Sequence, residues 1–127
     1  MKYIVRSAKT VDQATTDLEA AVKANGFGVL HQYDLKTTLN SKGVAFEPEV
    51  RILEVCNPQQ AAKVLADDID LNMALPCRIS VYQRDGVTCI GMLQPTELIG
   101  VLSRSDSLAD VATEVETTLM RIIEAAR

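Results

Sequence analysis

The sequence predicts a two-layer α+β sandwich. Three observations carry that prediction: five short runs rich in β-formers, helical stretches with one apolar face, and even composition along all 127 residues. An amphipathic helix must bury its stripe, and one face of a sheet provides the complementary surface. The expected order is β-α-β-β-α-β-β-α within one α+β domain spanning residues 1–127. No internal repeat, low-complexity segment or linker-like shift divides the chain.

Tyr3–Arg6 is the first candidate strand. Thr10-Val11-Asp12-Gln13 forms a capping box, in which Thr caps the helix and Gln reaches back from the third position. Val11, Ala14, Leu18, Ala21 and Val22 follow at helical spacing, and Asn25-Gly26 provides a left-handed stop. Val11–Ala24 is therefore expected as a helix. Phe27–Tyr33 is the second strand, and Asp34–Lys42 reads as a short helical segment, with a loop as the alternative, closed by Gly43. Val50–Cys56 is the third strand. Asn57-Pro58-Gln59-Gln60 begins a short helix over Pro58–Leu65, because Asn caps well and Pro fits the first helical position. Asp67–Leu75 reads as an acidic and apolar loop. Cys77–Gln83 and Val87–Leu93 are the fourth and fifth strands, joined by Arg84-Asp85-Gly86, whose Asp-Gly pair favours a tight hairpin. Pro95 stops the fifth strand. The last helix opens near Ser107 and runs to about Ala125, with Leu108, Val111, Val115, Leu119, Ile122 and Ile123 on one face.

The net charge of −4 argues against a non-specific nucleic-acid binder, which needs a basic footprint. No run approaches the ~20 apolar residues of a membrane span. Arg6 and Lys9 interrupt the opening, so no export signal is expected and the cytoplasm is the default location. Three cysteines, Cys56, Cys77 and Cys89, are too few for a secreted disulfide framework, and no Cys-x-x-Cys occurs. Gly26-Phe27-Gly28 lacks the third glycine of a dinucleotide loop and follows a helix. Asp67-Asp68-Ile69-Asp70 lacks the spacing of a calcium loop.

Gly26-Phe27, Asp34-Leu35-Lys36, Gly43, Glu54-Val55-Cys56-Asn57-Pro58 and Leu75-Pro76-Cys77-Arg78-Ile79 together resemble the domain of unknown function 302 family. The resemblance covers roughly Val11 to Pro95. It implies a curved antiparallel sheet with helices on one face, like TATA-box-binding-protein domains, and pairing as a homodimer. It implies no activity or cofactor, and no DNA binding, because fold is not function.

Four residues are candidates for chemistry. Cys56 ends one strand and Cys77 begins a later one, so antiparallel pairing would bring the thiols close. Such a pair can form a disulfide, hold a soft metal or haem, or serve as nucleophile and resolving partner. Against this, free Cys often acts as a small hydrophobe, and Cys77 shares one face with Ile79 and Val81 by alternation. Glu54 alternates with Cys56 and Ile52 on one face; it is a base or ligand beside the thiol, or a partner for Arg78 or Arg51. His31, the sole histidine, would complete a Cys-Cys-His site or a Cys–His pair only if folding brings it there; a solvated strand histidine is the simpler expectation. No nucleophile, base and orienting group can be read together, so no catalytic residue is assigned. Two functions follow: a non-enzymatic binding or interaction module, homodimeric, holding a small-molecule ligand or protein partner, or a thiol-dependent redox, sulfur-handling or soft-metal protein using Cys56 and Cys77.

Overall fold

Five antiparallel strands, β1 (Lys2–Ser7), β2 (Gly28–Asp34), β3 (Val50–Cys56), β4 (Cys77–Arg84) and β5 (Val87–Leu93), form one open sheet in the order β1-β5-β4-β3-β2. The computed structural model describes residues 1–127. Its helices are α1 (Val11–Ala24), α2 (Leu35–Ser41), α3 (Pro58–Asp67), α4 (Pro95–Leu102) and α5 (Asp106–Ala126), with a 3-10 helix at Ile69–Ala74. Asp85 and Gly86 have φ of 52° and 78°, the paired positive values of the tight turn that the Asp-Gly dipeptide favours between β4 and β5.

The inward face of the sheet follows from alternation. Leu53 and Val55 on β3, Ile79 and Val81 on β4, and Ile90 and Met92 on β5 are buried beneath the helices. Leu18 and Val22 of α1 meet Leu119, Ile122 and Ile123 of α5 over that face. A second, smaller core holds Val64, Leu71, Ile99, Leu108 and Ala112, contributed by α3, the 3-10 helix, α4 and α5. α5 therefore belongs to both cores, with its first turns in the small one and its remainder in the large one.

Polar contacts fix the helix ends. Thr10 Oγ1 accepts from Gln13 N at 3.1 Å, as the capping box predicts. Tyr3 Oη donates to Glu124 Oε1 at 2.6 Å, and Lys9 Nζ donates to the Ala126 carbonyl at 2.9 Å, placing a cation at the negative end of α5.

Two segments differ from the sequence reading. Pro95 not only ends β5 but starts α4, a helix the sequence reading lacked. Gln94 makes no side-chain cap there. Glu116 of α5 caps the helix instead, accepting from Thr96 N at 3.2 Å and Thr96 Oγ1 at 2.8 Å. Such a cap arrives through tertiary contact and leaves no local signature. The expected Asp67–Leu75 loop is mostly helical: Asp67 ends α3, Asp68 caps the 3-10 helix by accepting from Asp70 N at 3.0 Å, and Leu71 is buried.

Replacing the fully buried Leu18 by Ala should cost about 2–5 kcal/mol of stability through the cavity it leaves. At Gly91 an added Cβ would lie 2.9 Å from Ile4 Cγ1 and 3.1 Å from the Tyr3 carbonyl oxygen. Gly91→Val should therefore cost about 1–3 kcal/mol by overpacking the β1–β5 contact. Urea unfolding checks both, and a wild-type midpoint for either variant contradicts this packing.

Candidate functional site

The two cores do not meet perfectly, and the seam between them is a cavity of about 280 Å³. Phe27, Val55 and Val115 line it from the large core, and Val64, Ile99 and Ala112 from the small one. Thirteen of its seventeen lining residues are hydrophobic, and none carries an ionised side chain at neutral pH. A roughly 150 Å³ apolar cavity already admits benzene, so this volume suits a small organic molecule.

Cys56 and Cys77 both line this cavity. Antiparallel pairing of β3 with β4 sets Val55 opposite Cys77, which leaves Cys56 one residue beyond the pair. Both thiols are free and half-buried. Burial, with a smaller contribution from Cys56, pushes the Cys77 thiol up from its ordinary value near 9 to about 11. Cys77 therefore stays a neutral thiol at physiological pH and is a poor nucleophile there.

Glu54 does not join the thiols. Its Oε1 accepts from Tyr33 Oη at 2.9 Å, and its Oε2 lies 3.5 Å from Arg78 Nη2. The arginine partner expected from sequence is thus Arg78. Burial along β3 alternates through Cys56, with Leu53 and Val55 buried and Ile52, Glu54 and Cys56 half-buried between them, in keeping with a shared face, but the Glu54 carboxylate is engaged by Tyr33 and Arg78. His31 is also separate. It is exposed and packs edge-on against Tyr33, with ring centroids 4.4 Å apart. No group of three or more His, Cys, Asp or Glu side chains is arranged to hold a metal ion, so the Cys-Cys-His arrangement does not assemble.

Three further residues of the cavity escaped the sequence reading. Leu30 is the extra residue of a β-bulge, since Val29 pairs with Val55 and His31 with Glu54. The bulge sets Leu30 at the cavity rim, still 63% exposed. Asn57 lines the wall, but its side chain serves the fold: Oδ1 caps α3 by accepting from Gln59 N and Gln60 N at 3.1 Å each. Gln60 also lines the cavity, and its Oε1 is buried without a hydrogen-bond partner. The capping signal at Asn57-Pro58 located α3, but only the packed structure shows that the first turn of the helix borders a cavity.

A second concavity, about 800 Å³, lies on the open side of the sheet. Ile4, Ser80, Tyr82 and Leu93 form its floor, and Met73 and Leu102 rise at its rim. Met73 is 82% exposed, Leu93 53% and Leu102 51%.

The model of the family described as "Domain of unknown function DUF302" matches residues 3–126. The chain belongs to the DUF302 family. A crystal structure of an uncharacterised conserved DUF302 protein from Bacillus stearothermophilus is similar at 37% identity, covering 99% of this chain and 98% of that chain, with a TM-score of 0.94. No curated protein matches. Family membership thus agrees with the resemblance seen in the sequence, and the structural likeness extends through α5, beyond the segment where that resemblance was legible. No helix is long and apolar enough to cross a membrane.

The raised Cys77 value predicts a pH effect with a definite sign. The unfolded thiol loses its proton near pH 9, while the folded one keeps it until about pH 11. The folded state then holds the extra proton, so this contribution is complete below pH 9 and disappears as pH rises to about 11. Urea midpoints should fall more steeply across that window for the wild type than for Cys77→Val. Parallel slopes would show that Cys77 is not desolvated.

Proposed function

We propose that this chain is a non-enzymatic binding module whose ligand site is the seam cavity and whose working form is a homodimer. The carrying observation is the cavity itself: an apolar, uncharged space of ligand size between two cores, beside the first turn of α3. The space opens to solvent on one side, so a molecule can enter it without the two cores parting, as concave and mostly apolar ligand sites allow. The homodimer reading is supported by the open face of the sheet, where exposed Met73, Leu93 and Leu102 surround a concavity. An apolar surface rimmed by polar groups is the common mark of an association site. A second copy of this chain is the occupant assigned to it.

Ala61 lines the cavity, and Ala61→Phe fills it from α3. Native mass spectrometry and titration with an environment-sensitive apolar dye should show binding to the wild type and at least a tenfold loss in the variant, about the effect of 1.4 kcal/mol. Equal binding by both would remove the cavity from the function. Leu93→Glu should convert the dimer to monomer in the same spectra without affecting the dye. A monomeric wild type at micromolar concentration would end the homodimer reading.

One observation favours a second reading. Cys56 and Cys77 face a common cavity, which suits thiol-dependent redox, sulfur-handling or soft-metal binding. The neutral state of Cys77 weighs against thiolate chemistry at that residue. In this reading Cys56→Ser and Cys77→Ser abolish metal uptake or a reducible mass shift while leaving the circular dichroism spectrum intact. Wild-type behaviour of both variants in alkylation, metal and redox tests eliminates it.

A further inference from the structure

The concavity on the open side of the sheet differs from the seam cavity in charge. Its nineteen lining residues include two cations, Lys2 and Arg78, and no carboxylate. Arg78 is engaged by Glu54, its Nη2 lying 3.5 Å from Oε2. Lys2 is exposed on β1, faces the open side with Ile4 by alternation, and takes part in none of the ion pairs of its own chain. The basin is therefore apolar with one unpaired cation at its side.

The complementary chemistry stands at its rim. In a 3-10 helix residues i and i+3 eclipse one another. Along Ile69–Ala74 this aligns Asp70 with Met73, and Leu71 with Ala74. Leu71 is buried in the small core, so Asp70 and Met73 stand outward on another side of the helix. Met73 is almost fully exposed. Asp70 is exposed too, and its backbone N–H donates to Asp68 Oδ1 while its carboxylate pairs with nothing in its own chain. An apolar knob beside a free anion thus adjoins an apolar basin beside a free cation. Both lie on one surface, because Met73 borders the concavity of its own copy. Complementary patches on one surface close under a two-fold axis, each serving the other, whereas patches on opposite surfaces would chain into filaments.

We propose that the homodimer is isologous and that the Asp70–Met73 side of each 3-10 helix enters the other copy's concavity, with Met73 among the partner's Ile4, Ile52 and Leu93 and Asp70 against the partner's Lys2. The proposal rests on the homodimer reading above and adds the segment that docks. Burial of Met73 supplies attraction, and the charge pair fixes the register.

Native mass spectrometry and sedimentation of the full chain at micromolar concentration provide the test. Asp70→Lys and Lys2→Glu should each weaken the dimer by roughly tenfold or more, since either homodimer then sets like charges together twice. Mixed in equal amounts, the two variants should form a heterodimer within about threefold of the wild-type affinity, because both of its charge pairs are opposite again. Asp70→Asn removes the charge without reversing it and should weaken the dimer only about two- to threefold. Circular dichroism confirms that each variant folds. Reversal variants that dimerise as the wild type does overturn this docking and leave the homodimer reading standing. Monomeric reversal variants that stay apart on mixing overturn the pairing of Asp70 with Lys2. A monomeric wild type overturns the homodimer reading and the docking with it.

Discussion

The fold depends on the burial of a single helix. α5 is 21 residues long, and its apolar stripe is divided between two cores. Leu108 and Ala112 close the small core over α3 and α4, while Leu119, Ile122 and Ile123 close the large core over the sheet. Without α5 the inward faces of β3, β4 and β5 would be covered by α1 alone. The same helix supplies Glu116 to cap α4 and Glu124 to hold Tyr3 on the edge strand. Apolar burial is the largest favourable term in folding, so an element serving two cores couples them into one cooperative unit.

That double duty also explains why a cavity exists where it does. Val111, Ala112 and Val115 lie where the stripe of α5 passes from one core to the other, and they form one wall of the cavity. Small side chains at that crossing leave space that neither core fills. The opposite wall is the end of the β3–β4 ladder, where pairing stops and the chain turns into α3. The Asn57 cap there satisfies two of the free N–H groups at the start of α3, those of Gln59 and Gln60, which leaves the wall largely apolar. The site is thus a consequence of how two packed layers end, with the β2 bulge adding Leu30 at the rim.

The thiol pair shows how proximity and reactivity come apart. β3–β4 pairing puts Cys56 and Cys77 on a common cavity, the arrangement that antiparallel neighbours would give. The burial that accompanies it pushes Cys77 toward the neutral thiol. In an apolar setting without a cationic neighbour, desolvation outweighs any activation that a nearby helix terminus can supply. Glu54 and His31 remain outside: Glu54 is held between Tyr33 and Arg78, and His31 packs against Tyr33.

Local signals in the sequence were sufficient for most elements. The capping box at Thr10, the Asn57-Pro58 start, the Asp85-Gly86 turn and the alternation of β3, β4 and β5 each depend on residues a few positions apart, so the α+β class and five strands were legible without coordinates. The family resemblance was legible for a similar reason, being carried by short contiguous motifs. What tertiary structure decided involves residues distant in the chain. Glu116 caps α4 at Thr96 from the distant α5, the extra residue at Leu30 is defined only against its β3 partner, and Gln60 Oε1, like Thr15 Oγ1, is left without a hydrogen-bond partner only in the packed chain. Propensity and periodicity report what a segment prefers. Which faces enclose space, and which polar atoms lose their water there, depends on how separate segments meet.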